Sequence, residues 1–378
     1  MKDVMGLIYT SKNEVTLREL TVSRAVAALP VAGRYRVIDF ILSSMVNSGI
    51  RNVGVIMQKN YHSLMDHLGS GKEWDLHTRN DGLFILPPFL TRENIGTYSG
   101  IMDAIRSNMG YLRRSQQEYV ILANSHTVLN CTFDDLLAFH EDHKADITLM
   151  YARKPLSALD QTVTLTPRHV FLQVDGDGKM ADLEIGTEHP GSENFYMDIL
   201  LIKRTLLMQL IEQCFAQSYT SFNRDLLQRY VHNGMLRIYG YEYKGYNRRL
   251  ETINSYFGTN MDMLDPEIRR EIFHVNPIYT KVRDEVPARY LPGGTAVNSL
   301  VADGCVIEGT VENSVLFRGV HVGKDTHIKD SIIMQESSVG AHCEVENSIL
   351  DKKVIVRDES RLIAPVHYPI VIGKNTVI

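Results

Sequence analysis

Arg24, Arg34 and Arg36 stand close together near the N-terminus of this 378-residue chain, and each carries a planar fork of donors suited to phosphate. Arg34 and Arg36 could instead pair with carboxylates at a domain or subunit interface. Just upstream, Ile8-Tyr9-Thr10-Ser11-Lys12-Asn13-Glu14 follows an apolar start without one glycine. A phosphate cradle of backbone amides needs close approach, so none can be read there. The lone Trp74 reads as a packing or interface residue rather than a stacking surface for a ligand, and Tyr246 and Tyr256 as core or cleft-wall residues.

Size and composition bound what these residues can serve. The chain exceeds the length at which one hydrophobic core stops growing, so two domains are expected. A net charge of -5 gives no overall pull toward nucleic acid or anionic membrane, though a local basic patch can still hold a small phosphate. The four cysteines, Cys131, Cys214, Cys305 and Cys343, lie far apart and form no C-x-x-C pair, which fits a reducing cytoplasm. Met1 to Tyr9 is too short for a signal h-region, and Lys203 and Arg204 interrupt the most apolar later stretch, so neither secretion nor membrane insertion is expected.

The elements that must position these residues fall into two regimes. Short β-like runs alternate with amphipathic stretches over the first two hundred or so residues, the pattern of a mostly parallel sheet covered by helices. Residues 53–57 and 119–123 read as buried central strands; 38–47, 100–114 and 133–144 read as helices, with apolar residues returning every three or four positions. A Rossmann-like α/β domain is expected over 1–260. Pro266, Pro277, Pro287 and Pro292, followed by Gly293-Gly294, then mark a junction over 261–292.

From Ser299 onward apolar residues recur about every six positions, as in Val301 to Ile307, Val322 to Ile328, and Ile333 to Val339 to Val345. Each six-residue side of a triangular coil turns one aliphatic residue inward, with glycine or asparagine at the bends. This predicts a left-handed parallel β-helix over 293–378. Its histidines, His321, His327 and His342, raise the possibility of acyl transfer, in which a histidine between coils deprotonates an acceptor. Too few coils fit here for a long acyltransferase helix, and solvated exterior histidines are the plainer reading.

Several segments together resemble one family. Leu17-Arg18-Glu19-Leu20-Thr21, Gly33-Arg34-Tyr35-Arg36-Val37-Ile38-Asp39-Phe40, Asn47-Ser48-Gly49-Ile50, Pro277-Ile278-Tyr279-Thr280-Lys281-Val282 and Asp351-Lys352-Lys353-Val354 resemble bacterial ADP-glucose pyrophosphorylase (glucose-1-phosphate adenylyltransferase), most of all its GlgD-type subunit. The resemblance implies where a catalytic site belongs, and the residues there depart from the family pattern. Val26 stands where the family has a phosphate-side lysine. The strand expected at 119–123 ends Asn124-Ser125-His126 where the family has Gly-Asp-His, so Ser125 replaces a metal-binding aspartate. Arg249, in Asn247-Arg248-Arg249-Leu250-Glu251-Thr252, replaces the second. The sugar-side Glu-Lys-Pro and Asp-Phe-Gly-Lys-Asp segments are likewise altered, at Asp182-Leu183-Glu184-Ile185 and Ser221-Phe222-Asn223-Arg224-Asp225. Tyr98, Gly100, Asp103 and Ala104 still match the sugar-proximal loop. If the register of the match is shifted, Asp134, Asp135 or Glu251 could supply the carboxylates instead.

The resemblance therefore implies a regulatory or structural subunit with no catalytic residues and no metal of its own, Mg²⁺ being used by a catalytic partner in a heterotetramer. Arg24, Arg34 and Arg36 lie where catalytic relatives carry residues for a phosphorylated activator, which implies a sugar-phosphate effector site. The alternatives are an active adenylyltransferase with rearranged ligands and a sugar-phosphate sensor without turnover.

Overall fold

A computed structural model describes residues 1–10, 15–78, 81–88, 98–155, 169–187 and 189–378. Ser11 to Glu14, the heart of the glycine-free segment, lie outside the described residues. The chain forms two compact units, one from Met1–Lys12, Ile41–Tyr61 and Leu68–Asn247, the other from Asn13–Phe40, His62–His67 and Arg248–Ile378.

The first unit is built on a mixed sheet. Val4–Tyr9 lies at its centre, parallel to Asn52–Ile56 on one side and Tyr119–Asn124 on the other, and Gly82–Leu86 continues the parallel set. Asn194–Lys203 then runs antiparallel to both Tyr119–Asn124 and Ile147–Arg153, and Val170–Val174 with Met180–Ile185 forms an antiparallel hairpin at the far edge. The expectation of a mostly parallel sheet thus holds for only half of it. Both strands expected at the centre are present and buried, as their unbroken apolar runs require. Helices Val37–Asn47 and Asp134–Asp142 fall where they are anticipated, and Arg204–Ala216 is a further helix that the sequence reading does not anticipate. The helix expected over 100–114 is instead two, Ile101–Ser107 and Met109–Arg114. Asn108 breaks it: its side-chain amide donates to the carbonyl of Ala104 at 2.8 Å and to the Tyr98 hydroxyl at 3.2 Å, a local competition with the helical ladder that apolar periodicity cannot report.

The second unit contains a β-helix. Three five-stranded parallel sheets share the coils, and corresponding residues sit 15 or 17 apart between most successive coils, as in Arg289, Val306, His321, Ser338 and Ile355. Each side turns one aliphatic residue inward. Ile307, Val322, Val339 and Val356 stack in one sheet, and Leu316, Ile333 and Leu350 in another, all buried. This is the left-handed β-helix that the six-residue period anticipates. The coils bend through left-handed backbone conformations in three columns: Asn298, Asn313, Asp330 and Asn347; Gly304, Gly319, Glu336 and Lys353; and Asp325, His342 and Glu359. Only the first keeps to asparagine and aspartate throughout. Asparagine Nδ2 donors there bond from coil to coil, Asn298 to Asn313 at 2.8 Å.

Close stacking makes some glycines obligatory. A Cβ on Gly323 would stand 2.5 Å from the Gly340 carbonyl carbon and oxygen of the next coil. Gly323→Ala is expected to destabilise the β-helix by about 1–2 kcal/mol through forced backbone displacement. Chemical denaturation followed by circular dichroism checks this; an unchanged midpoint would mean that the coils part freely.

Candidate functional site

In the first unit, the end of the strand Tyr119–Asn124 carries Asn124, Ser125 and His126. Ser125 is buried and its backbone N–H is taken by the Asn124 Oδ1 at 2.6 Å. His126 Nε2 lies 4.0 Å from Asp198 Oδ2. Thr10, the last described residue of the glycine-free segment before Ser11, directs both its N–H and its hydroxyl to the carbonyl of Ile56, each at 3.0 Å. Tyr98 is fully buried with its hydroxyl bonded to Pro87 and Asn108, Gly100 precedes the helix Ile101–Ser107 in extended conformation, and Asp103 accepts from the N–H and hydroxyl of Ser99. The matched sugar-loop residues are thus engaged in holding their own turn. Asp134 and Asp135 are exposed at the first turn of their helix. Trp74 is buried; its emission is expected to be blue-shifted in the native chain and to move to the red only when the first unit unfolds.

In the second unit, Arg249 is 8% exposed and its Nε lies 2.7 Å from a carboxylate oxygen of Glu251. A divalent cation requires negatively charged oxygen donors, and here the local carboxylate is already neutralised by a fixed guanidinium. Among the described residues, no cluster of three or more histidine, cysteine or carboxylate groups is arranged to hold a metal. The donor set does not fit magnesium at these positions.

The β-helix histidines face outward. His321 is exposed, while His327 and His342 lie 3.5 and 3.9 Å from Glu312 and Asp325 on the coil exterior. Tyr256 is buried and donates to the carbonyl of Pro30 at 2.7 Å.

A charged cavity in the same unit gathers what the sequence had scattered. Its volume is about 150 Å³. Arg34 and Arg36 line it from the N-terminal segment, and Lys281 and Arg283 from the strap before the first coil. The β-helix contributes Arg318, Lys352, Lys353 and Lys374, so cations outnumber the lining carboxylates, Asp66 and Glu336, eight to two. Arg318, Gln335, Lys352 and Lys374 form one column at equivalent positions of successive coils: the N–H groups of Glu336, Lys353 and Asn375 each donate at 3.0 Å to the carbonyl one coil back, at Arg318, Gln335 and Lys352. Adjacent strands are about 4.8 Å apart, so the column presents its side chains at that interval.

Neighbours hold this wall in place. Asp39 accepts the Arg36 N–H at 2.8 Å and is hydrogen-bonded to His67 Nε2 at 2.6 Å, while Arg36 donates to the Ser63 carbonyl and hydroxyl at 2.6 and 3.0 Å. Lys281 donates to the Asp66 carbonyl, and Lys353 pairs with Glu336 at 3.4 Å. Among the described residues, Arg34, Arg36, Lys352 and Lys374 form no ion pair. The crowding is felt electrostatically. Burial, with Arg24 and Arg283 beside it, pushes the Arg36 guanidinium down to about 10 despite Asp39. Burial first, then Arg36 and Arg24, push the Lys352 ammonium down to about 7, against the opposing pull of Asp351. Excess cationic charge at this density is what an anionic ligand relieves.

Arg24 is placed differently from its two companions. It is buried in an ion pair with Asp351 and donates from Nε to the Leu20 carbonyl at 3.0 Å, so it does not line the cavity. Arg34 and Arg36 do. Lys352 and its column were missed by sequence reasoning, although their spacing of 17 and then 22 residues is legible once the coil register is known.

Comparison with known proteins bears on both units. A sequence model described as nucleotidyl transferase matches residues 15–159, and one described as GlmU-like, C-terminal hexapeptide matches 286–362. The chain thus combines a nucleotidyl transferase region with a hexapeptide-repeat region, the first match drawing on residues of both units. The chain is 36% identical, over 99% of its own length and 96% of the relative's, to glycogen biosynthesis protein GlgD of Bacillus subtilis, and 36% identical over 85% and 81% to the protein of that name from Geobacillus stearothermophilus. It is also 30% identical, over 89% and 86%, to glucose-1-phosphate adenylyltransferase of Clostridium perfringens. The chain belongs to the family of GlgD proteins and glucose-1-phosphate adenylyltransferases.

Proposed function

We propose that this chain is a regulatory subunit, with little or no catalysis of its own, of a glucose-1-phosphate adenylyltransferase that makes ADP-glucose from ATP and glucose 1-phosphate for glycogen synthesis in the cytoplasm. The observation that carries this is the loss of both expected metal-binding carboxylates, one to Ser125 and one to Arg249 with its Glu251 partner. Removing a metal clamp worth about 5 kcal/mol slows turnover by three to four powers of ten. A neighbouring catalytic subunit can still be activated if this chain binds its active conformation more tightly than its inactive one. A heterotetramer with that subunit is the assembly proposed; the described residues contain no helix long and apolar enough to cross a membrane.

The test compares ADP-glucose synthesis by this chain alone, by a catalytic homologue alone, and by the co-expressed pair, all with magnesium. Negligible activity alone and a raised rate for the pair is the expected result. Substantial activity alone would favour a working adenylyltransferase whose ligands lie elsewhere.

The cationic cavity supports a second element of the proposal, a sugar-phosphate effector site in which Arg34 and Arg36 face the phosphate and Arg24 is held behind them by Asp351. Arg36→Ala is expected to weaken inorganic phosphate binding about tenfold, the loss of one charge-assisted hydrogen bond. Titration calorimetry measures it; wild-type affinity in Arg34→Ala and Arg36→Ala alike would remove the effector site.

A further inference from the structure

The Lys352 amine differs from every other group lining the cavity. It lies in the middle of the column, between Gln335 and Lys374, with Arg36 and Arg24 approaching from the N-terminal segment and Asp351 as its chain neighbour. It is only partly exposed, and Asp351 is turned away from it: that carboxylate is buried against Arg24 and accepts the Lys352 backbone N–H at 2.6 Å. Lys353, one residue on, is exposed and paired with Glu336. A lysine crowded by cations in a space built for an anion is an amine with a free electron pair beside a place where phosphate settles.

We infer that Lys352 is a site of chemical acylation by acyl phosphates, which the surrounding cations draw into the cavity by their phosphate end. The inference rests on the cavity being a phosphate site, as proposed above. The Lys352 nitrogen attacks the acyl carbon, the bond from that carbon to the bridging phosphate oxygen breaks, and the departing phosphate takes the amine proton to leave as hydrogen phosphate. An amide and hydrogen phosphate are the only products; no oxidant or further reactant is needed. The guanidiniums that hold the phosphate also stabilise the charge that grows on it as it leaves.

Two conditions favour this amine. With the ammonium pushed down to about 7 in the empty cavity, a large share of Lys352 side chains is neutral at that pH, against roughly one in 2,500 for an ordinary lysine; a bound phosphate returns part of that shift, so the reacting fraction is the smaller one that stays neutral with the acyl phosphate in place. The lower basicity takes back part of that advantage, and the local concentration of bound reagent adds to it. The product is a neutral amide that cannot be protonated, so acylation removes one cation from the wall and weakens the site for any later phosphate.

The experiment treats the full chain with acetyl phosphate at pH 7 and releases the peptide of residues 347–359 with a glutamate-specific protease. That peptide holds Lys352 and Lys353 side by side, and fragment ions distinguish them. Lys352 is expected to be acetylated at least about tenfold faster than Lys353, and an excess of inorganic phosphate is expected to suppress the difference. Equal rates at the two lysines would overturn the inference. So would a preference that is the same with N-hydroxysuccinimidyl acetate and indifferent to inorganic phosphate, because the phosphate end would then guide nothing. Calorimetric titration of the same preparation with inorganic phosphate separates the two layers: phosphate binding without preference for Lys352 defeats this inference alone, and no phosphate binding defeats the effector site with it.

Discussion

Changing Asp351 to alanine is expected to lower the stability of the β-helical unit by about 3–5 kcal/mol, because it strands the Arg24 guanidinium in a buried site. Both side chains are almost wholly inaccessible, at 3% and 1% exposure, and among the described residues the other acceptor of Arg24 is the Leu20 carbonyl. Asp351 also accepts the Lys352 N–H, so its loss loosens the base of the cationic column as well as the N-terminal segment. The double replacement Arg24→Met with Asp351→Leu is expected to recover most of the loss, since an apolar pair of similar volume removes both desolvation penalties. Trp74 reports on the first unit, so the measurement is hydrogen exchange at coil amides such as Lys353, whose N–H bonds to Gln335. A loss below about 1 kcal/mol for Asp351→Ala would mean that water reaches Arg24 and that the pair is an ordinary surface bridge.

The same pair shows why the site was only partly legible from sequence. Inward-facing aliphatics at six-residue intervals report themselves, since the period is a direct image of the coil, and the β-helix was readable from Val301 to Val345 for that reason. Two long apolar runs likewise marked the central strands. What sequence could not report was pairing across hundreds of residues. Arg24, Arg34 and Arg36 are chemically equivalent in the text, yet a partner 327 positions away takes the first into the core and leaves the others facing the cavity. Corner identity failed as a guide for the same kind of reason. Glu336 and Lys353 adopt the left-handed conformation where glycine serves in earlier coils, so the bends are set by stacking on their neighbours as much as by residue type.

The reversal of strand direction at Asn194–Lys203 was invisible for a different reason. A buried strand has the same apolar run whether its neighbours are parallel or antiparallel, and only the length of the connections differs. Residue identity, by contrast, is legible as text. At Ser125 and Arg249, where the resemblance expects aspartates, no arrangement of neighbours turns a hydroxyl or a guanidinium into a carboxylate metal ligand. The fold therefore retains a nucleotidyltransferase frame, while the cationic cavity of the second unit carries side chains fit for phosphate. If the proposed regulatory role holds, selection for binding alone accounts for this mixture.

Lys352→Met is expected to stabilise the protein and impair phosphate binding at once. The folded-state value, about 7, lies below the value near 10.4 of an unfolded lysine, so the unfolded chain binds the proton more tightly. This lysine consequently destabilises the fold at any pH below the unfolded value. The penalty is full below about pH 7 and fades as pH rises from there toward 10. Methionine fills a comparable volume without charge, and its gain is expected to be about 1–2 kcal/mol at pH 6–7 and to vanish near pH 10. Phosphate affinity moves the other way, falling ten- to about a hundredfold at pH 6–7, where the native ammonium is available to the ligand. In the wild-type chain affinity itself is expected to weaken as pH climbs above 7, because binding must then draw a proton onto the neutral amine. Thermal unfolding and phosphate titration across pH 6 to 10 measure both. Stability unchanged by the substitution would mean that the amine is solvated and ordinary; stability raised with affinity intact would leave Lys352 a crowded bystander and assign the phosphate to Arg34 and Arg36 alone.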